Sequence, residues 1–208
     1  MYFILGSSSP RRKELLESIG ITPDAIISPD IDESNLKNEL PKICAERLAK
    51  TKSLKIQKEH PNSLILTADT IAFCGRRFID KTDDVKIARN YLELLSGRRH
   101  RVVSSVFITN GNTSISKSVQ TTINFKSLTN SEISKYLESG EWINVAGAYK
   151  IQGVAASFVK SINGSYTNVV GLPLYEVKNM LSSIGYLDYN IIFEYLIWLD
   201  SSVGRAKD

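Results

Sequence analysis

The stretch around Ser7 has the residue types and the order of a phosphate-binding turn. A short apolar run, 2–5, is followed by one glycine and three serines, and Pro10 then stands at the expected first position of a helix. Free backbone N–H groups and the helix dipole favour an anion at such an N-terminus. Arg11 and Arg12 are unfavourable in a first helical turn unless a phosphate binds there. A solvated arginine pair after a turn is the alternative, and this stretch alone does not decide between the two.

Asp69 is the strongest catalytic candidate in the chain. It follows residues 63–68, whose consecutive apolar side chains predict a buried strand, so that Asp69 would lie at the end of that strand. Ligands of α/β proteins gather at the carboxyl ends of strands, and a carboxylate there can act as a general base, although aspartate is also common in turns. A histidine base is poorly supported, because the chain has only His60 and His100, and we interpret His100 as structural.

Lys52 lies beside the apolar stripe of a long predicted helix, 40–58. The residues of this predicted inner stripe are Leu40, Ile43, Cys44, Leu48 and Thr51. A lysine in this place usually keeps its ammonium group in water, although it can also reach into a cleft and bind a phosphate. The acidic loop 29–35 is either a solvated turn or a source of oxygen ligands for a divalent metal, and Glu33 is a better ligand candidate than Asp30.

The elements that must position these side chains alternate between strands and helices in the first part of the chain. Residues 83–96 predict a helix with an apolar face. Strand patterns at 99–109 and 118–126 are joined by the Asn-Gly pair 110–111, which indicates a long antiparallel hairpin. We therefore expect an α/β fold with a mixed, not purely parallel, sheet.

Whole-chain composition bounds the class of protein. The 208 residues are 42% hydrophobic and 23% charged, which is ordinary for one globular domain with a full core. A net charge of +4 without a long basic run suits an anionic small substrate, and it does not argue strongly for a nucleic-acid partner. The two cysteines fit a reducing compartment. Neither a signal peptide nor a membrane span is predicted, so we expect a cytoplasmic protein.

Five motifs stand in one order along the chain. They are Gly-Ser-Ser-Ser-Pro-Arg-Arg (6–12), Ala-Asp-Thr (68–70), Leu-Ser-Gly-Arg (95–98), Ala-Gly-Ala-Tyr-Lys-Ile-Gln-Gly (146–153) and Asn-Val-Val-Gly-Leu-Pro-Leu (168–174). In order and spacing they resemble the Maf family of nucleoside triphosphate pyrophosphatases, first described as septum-formation inhibitors. The match covers about residues 2–185 of one expected domain, 1–208, with a helical tail at about 188–208. The resemblance implies an ITPase-like fold: an elongated, twisted mixed β-sheet flanked by helices, with two lobes around a cleft.

Three positions favour one branch of that family. Arg11, Thr70 and Gln152 match the branch that acts on dTTP and UTP. The sister branch, which acts on 7-methyl-GTP, tends to have an aromatic residue, Gln and Glu at these places. A glutamine amide both donates and accepts, so Gln152 can pair with the O4 and N3–H edge of uracil or thymine. The resemblance thus implies that dTTP, UTP or modified pyrimidine nucleotides are cleaved to the monophosphate and pyrophosphate, with a house-cleaning role and a role in cell-division arrest.

The resemblance also suggests a role for each candidate residue. Asp69 would deprotonate the attacking water as general base. The groups predicted to hold the triphosphate are Ser7, Arg11, Arg12, Lys52 and Lys81. Glu33 is the predicted ligand of a divalent cation, Mg²⁺ or Mn²⁺. A second copy of the chain in a homodimer is the protein partner that the family suggests.

Two places depart from the family pattern. Asp80-Lys81-Thr82 stands where the family commonly has Gly-Lys-Pro, and Asn144-Val145 stands where it often has Asp-Lys. The lysine is retained, so these departures concern the turnover rate more than the reaction class. Two rival functions stay open. One is the 7-methyl-GTP-type pyrophosphatase, and the other is a regulatory module that binds nucleotides or nucleic acid in septum formation.

Overall fold

The computed structural model describes residues 1–187, and within them one mixed sheet forms the centre of the molecule. The strands are β1 (Phe3–Gly6), β2 (Ala25–Ile26), β3 (Leu64–Cys74), β4 (Arg77–Ile79), β5 (Arg99–Thr109), β6 (Ser114–Phe125) and β7 (Val159–Asn163). The helices are α1 (Pro10–Glu17), α2 (Pro41–Glu59), α3 (Val85–Leu95), α4 (Asn130–Glu138), α5 (Tyr166–Val170) and α6 (Leu174–Ser183). The predicted α/β fold with a mixed sheet flanked by helices is confirmed. The predicted tail, 188–208, lies outside the described residues.

The sheet has the order β2-β1-β3-β5-β6-β7, with β4 also paired to β3. Strand β1 runs parallel to both β2 and β3, and all other pairs are antiparallel. The parallel pairs are joined through α1 and α2, because a parallel connection needs a long crossover. The hairpin of β5 and β6 turns at the Asn-Gly pair as predicted, and β6 starts at Ser114 instead of residue 118.

Strand β3 changes its neighbour halfway along, and this change opens a gap at one side of the strand. It pairs with β1 as far as Thr67 and with β4 from Ala72 onward. Between them, residues 68–71 pair only with β5 among the described strands. The prediction that Asp69 ends a strand is therefore wrong. The polar Asp-Thr pair reads as a turn in the sequence, but it continues the ladder with β5 and faces the gap.

Helix α2 packs on the sheet through a face that matches the predicted one only in part: Cys44 and Leu48 are buried as predicted. Leu40 and Ile43, both placed in the inner stripe, are 61% and 50% exposed. Thr51 is also exposed. The buried side chains of the helix are Pro41, Cys44, Ala45, Leu48, Ala49, Lys52, Ser53 and Ile56. Small residues on this face let the helix backbone approach the sheet closely, so the larger Ile43 turns outward and Lys52 turns inward.

Two apolar cores stabilise the sheet on either side of the gap. One core surrounds β1 and the first half of β3, where Phe3, Leu5 and Leu66 are fully buried. The other contains an aromatic cluster, in which Tyr136 contacts Phe158 edge-on with ring centroids 5.3 Å apart. The two cores hold the two sides of the gap in place. No helix of the described part of the chain is long and apolar enough to cross a membrane.

Candidate active site

A cavity of about 500 Å³ lies at the gap beside β3. It brings together every site residue that the sequence singled out, namely Ser7, Arg11, Arg12, Glu33, Lys52, Asp69, Thr70, Lys81 and Gln152. A second hollow of about 410 Å³ continues from it past Glu33, Asp69 and Lys81. These residues come from six segments that are separate in the sequence, so the folding of the chain brings them together.

The turn that carries Ser7 depends on a close approach that only glycine permits. A Cβ atom on Gly6 would lie 2.5 Å from Cγ2 of Thr67 and 2.6 Å from Cδ1 of Ile56. Because Gly6 has no side chain, β1 can end directly against β3 and α2 and deliver Ser7 to the cavity. The N–H of Ser9 then donates to Ser7 Oγ at 3.1 Å, and α1 begins at Pro10 as predicted.

Arg12 is buried in the wall of the cavity and all three of its guanidinium nitrogens donate to protein groups. Nη1 donates to Ser7 Oγ at 3.0 Å, Nη2 to Thr70 Oγ1 at 3.1 Å, and Nε to the carbonyl of Gly171 at 2.9 Å. Burial lowers the pKa of Arg12, although the charges of Asp69 and Glu33 oppose this shift. An arginine keeps its charge all the same. Arg12 thus ties the Ser7 turn to β3 and to the loop before α6.

Arg11 differs from Arg12 in its burial and in its hydrogen bonding. It is partly exposed, it lines the cavity, and within residues 1–187 its guanidinium group has no hydrogen bond or ion pair. The two arginines were predicted as one phosphate-binding pair. The structure separates them into one guanidinium that is bonded within the wall and one that is free to meet a ligand.

Asp69 lies at one end of a chain of alternating charges. Nζ of Lys52 is 2.6 Å from Oδ1 of Asp69 and 2.6 Å from Oε1 of Glu33. Nζ of Lys81 is 3.5 Å from the other oxygen of Glu33. Partial burial would raise the pKa of Glu33, but the hydrogen bond and charge of Lys52, with those of Lys81, outweigh it and lower that pKa. Glu33 is therefore ionised at neutral pH. Of the two positions that the sequence left open for the Lys52 ammonium group, the structure shows the one inside the cleft.

The two carboxylates fit a cation that is held jointly with a substrate. Oxygens of Asp69 and Glu33 already converge on one positive atom, Nζ of Lys52. Mg²⁺ is usually bound by one or two carboxylates together with substrate phosphates, not by an all-protein cage. The described residues contain no group of three or more His, Cys, Asp or Glu side chains that could hold a metal ion.

The opposite side of the cavity is formed by the segment that contains Gln152. Gln152 is exposed at the cavity, whereas Tyr149 is buried and its hydroxyl lies 2.8 Å from Nε2 of His100. Burial lowers the pKa of His100 to about 4 and raises the pKa of Tyr149. His100 thus anchors this segment as a buried, neutral side chain, in agreement with the structural role inferred from the sequence.

The two departures from the family pattern meet at this edge of the cavity. The backbone N–H of Asn144 donates to the carbonyl of Thr82 at 3.0 Å. Lys81, directly before Thr82, lines the cavity together with Asn144 and Val145. The two segments that depart from the family pattern are therefore in contact, and both contribute residues to the cavity lining.

Sequence reasoning missed two buried polar residues behind the wall. Ser104 and Asn168 are both fully buried. The Asn168 side chain accepts from the N–H of Ser104 at 3.2 Å and donates to the carbonyl of Val102 at 3.1 Å, which fixes α5 to β5. The available signal was a polar pair, 104–105, inside the otherwise apolar run of β5, because buried polar side chains need partners.

Sequence comparison identifies close relatives along most of the chain. Residues 2–184 match the profile of a family described as Maf-like protein. A dTTP/UTP pyrophosphatase of Rhodospirillum rubrum is 45% identical over 184 residues, which cover 88% of this chain and 88% of that protein. A dTTP/UTP pyrophosphatase of Paramagnetospirillum magneticum is also 45% identical, with 88% and 97% coverage. A nucleoside triphosphate pyrophosphatase of Ehrlichia chaffeensis is 47% identical over 180 residues, with 86% and 94% coverage.

Proposed function

The chain belongs to the Maf family, and from this membership and the geometry of the cleft we propose that it hydrolyses dTTP and UTP to the monophosphate and pyrophosphate. The observation that carries the proposal is the buried Asp69 carboxylate, which lies among cationic side chains in a cavity large enough for a nucleotide. A domain that only binds anions has no need of a buried carboxylate beside its cations.

The triphosphate binds where the cationic groups face the cavity. Arg11 and Lys81 offer exposed charges, and Lys52 lies deeper, next to Asp69. Ser7 and the backbone N–H groups at the start of α1 add uncharged donors. These groups neutralise the substrate and the charge that develops on the phosphoryl oxygens in the transition state. Arg12 contributes by holding Ser7 in place.

Asp69 acts as the general base. Its Oδ1 accepts from Lys52 at 2.6 Å, which fixes the orientation of the carboxylate. We propose that the other carboxylate oxygen, Oδ2, takes up the proton of the attacking water. The water attacks the α-phosphorus, the bond to the β-phosphate breaks, and pyrophosphate leaves. Glu33 would hold a divalent cation, Mg²⁺ or Mn²⁺, which when bound supplies charge withdrawal from the phosphate oxygens.

The exposed residues of the cavity select the nucleobase of the substrate. Gln152 can donate to O4 and accept from N3–H of uracil or thymine, and a cytosine would present the reverse pattern. Arg11 lines the same cavity and is free to contact either phosphate or base. Thr70, the third position that separates the two branches, has its hydroxyl engaged inside the wall, so its effect on selection would pass through its neighbours.

Assembly and cellular role complete the proposal. One continuous sheet through residues 1–187 supports a single domain. The family likeness supports a homodimer that acts in the cytoplasm, with a house-cleaning role and a role in cell-division arrest. Light scattering of the purified protein tests the homodimer directly, and a monomer mass in solution would remove that part of the proposal.

The deciding experiment is pyrophosphate release from dTTP, UTP, CTP and 7-methyl-GTP, each with Mg²⁺ or Mn²⁺ and with EDTA as control. We expect release from dTTP and UTP only with a divalent cation. A preference for 7-methyl-GTP would move the protein to the sister branch. Turnover of none of the four would favour the regulatory binding module instead.

A further inference from the structure

A chain of hydroxyl groups runs from Thr70, which is half-buried and lines the cavity, to the fully buried Ser104 behind it. Thr70 Oγ1 is 2.8 Å from Ser104 Oγ, and Ser104 Oγ is 3.0 Å from the backbone carbonyl of Asn168. On the other side, Thr70 Oγ1 accepts from Nη2 of Arg12 at 3.1 Å. Ser104 and Asn168 are fully buried, and neither lines the cavity. The chain therefore connects the core of the sheet to the Ser7 turn through Arg12.

The proton of each hydroxyl can be placed by following the acceptors. A carbonyl only accepts, so Ser104 donates its single proton to Asn168. In the contact between Thr70 and Ser104, Thr70 must then be the donor. Arg12 donates to Thr70, and all bonds point the same way, from the guanidinium to the carbonyl. Hydrogen bonds in such a sequence strengthen one another.

This direction determines what the cavity presents to a ligand. Thr70 gives its proton to Ser104 and takes one from Arg12, so it has no proton left for a nucleotide. Ser7 Oγ accepts from Arg12 at 3.0 Å and from the N–H of Ser9 at 3.1 Å. Because both of those bonds use its lone pairs, the hydroxyl proton of Ser7 remains to be donated into the cavity, where a phosphate oxygen would accept it.

We infer that Ser104 is a positioning residue for substrate binding, which acts through Thr70 and Arg12 to aim the hydroxyl of Ser7 at the triphosphate. The inference rests on the proposed function. Without the Ser104 hydroxyl, the proton of Thr70 turns to the carbonyl of Gly171, 3.3 Å away. That rotation turns the lone pairs of Thr70 Oγ1 away from Nη2 of Arg12, so the guanidinium loses one of its three acceptors and Ser7 loses its alignment.

The test is a double-mutant cycle of Ser104→Ala and Thr70→Val. The probe is α,β-methylene-UTP with Mg²⁺, whose α–β bridge cannot be hydrolysed, so calorimetry reports binding alone. Ser104→Ala is expected to weaken binding by about fivefold to tenfold, the scale of one buried hydrogen bond. In the Thr70→Val background the same change should cost less than about twofold, because the connection to Arg12 is already absent.

Two further variants separate positioning from a general loss of stability. Thr109→Val removes another buried hydroxyl of β5, whose hydrogen bonds within residues 1–187 go to the turn at 111–113, and should leave affinity unchanged. Ser104→Cys keeps a weak donor and should bind with intermediate affinity. Full affinity of Ser104→Ala, or equal losses with and without Thr70, would overturn the inference.

Failure of the proposed reaction would be visible separately. If the wild-type protein binds the analogue but releases no pyrophosphate from UTP or dTTP, the proposed reaction is wrong and the binding ratios still decide the role of Ser104. If the wild-type protein does not bind the analogue, both proposals fall.

Discussion

The two sides of the cleft differ in how their polar groups are held. One side, which we call the wall, consists of Ser7, Arg12, Thr70 and Gly171. The facing side, which we call the rim, consists of Glu33, Lys81, Asn144 and Gln152. Wall side chains are buried or half-buried and bond to one another, whereas rim side chains are exposed. The wall is therefore organised before a ligand arrives, and the rim can adjust to one.

Adjacent arginines show the same contrast at the level of single residues. Arg12 points into the wall and makes three hydrogen bonds, while Arg11 points to the cavity and makes none within the described residues. A helix places neighbouring residues about 100° apart, so one of a pair can be buried when the other faces a ligand. A repeated residue type in a motif is thus poor evidence for a repeated role.

Asp69 lies where the wall meets the rim, and its replacement should have the largest effect. Asp69→Asn keeps the shape and the contact with Lys52 but removes the base. We expect kcat for UTP to fall by about 10²-fold to 10⁴-fold, with KM changed little. Circular dichroism should show an unchanged fold. Formation of UMP at a near-normal rate would mean that another group takes the proton.

The pH dependence of stability tests His100, a buried anchor of the segment that contains Gln152. The pKa of His100 is about 4 in the folded protein against an ordinary value of 6.5, because burial disfavours the charged form. The unfolded chain takes up the proton first, so this contribution is complete above about pH 6.5 and is lost as the pH falls to about 4. The free energy of unfolding should drop by up to about 3 kcal/mol across that window.

Urea unfolding of the wild type and of His100→Gln at several pH values between 4 and 7 checks this expectation. That range spans the pKa of His100 in the folded protein and its ordinary value. The variant lacks the titrating group and should show a flatter curve, even if its stability is lower throughout. Parallel curves would show that His100 does not titrate in this window, and the anchor of Tyr149 would then need another explanation.

Substitution of the two arginines compares a residue bonded within the wall with a neighbour that is free to meet a ligand. Lysine cannot make the three directed bonds of Arg12, so Arg12→Lys should lower kcat/KM by about 30-fold and also lower Tm. Arg11→Lys keeps a mobile charge at the cavity, and kcat/KM should change by less than about threefold with Tm unchanged. Equal effects of the two substitutions would mean that the bonded and the free arginine do not differ in the way proposed.

Much of the site could be predicted from the sequence, and the reasons for the failures are physical. Asp69, Lys52 and the Ser7 turn were found because their chemistry is unusual for their local pattern. The continuation of β3 through Asp69 was missed because the ladder to β5 is a long-range pairing. The outward position of Ile43 was missed because close packing through alanines, not hydrophobicity, sets the rotation of α2.

The contact between Thr70 and Ser104 was missed for a related reason. Serine and threonine are common on surfaces, and neither Ser104 nor Thr70 indicates a partner by type or spacing. Their contact joins two strands whose pairing, 34 residues apart in sequence, appears only in the folded sheet. Residues that act by holding other residues are therefore harder to predict than those that would touch the substrate.

The smallest expected effect is a change of base preference at the rim. Gln152→Glu replaces a group that donates and accepts with one that only accepts, so a uracil O4 loses its donor. We expect kcat/KM for UTP to fall by about fivefold relative to that for 7-methyl-GTP, whose guanine edge is rich in donors.

Gln120→Glu is the matched control, because it adds the same charge at an exposed position of β6 that does not line the cavity. Because Gln152 is exposed and makes no bond to the wall, the substitution should leave Tm unchanged, so that any shift in the ratio reports recognition of the base. An unchanged ratio would instead place base selection in the wall, with Thr70 acting through Arg12.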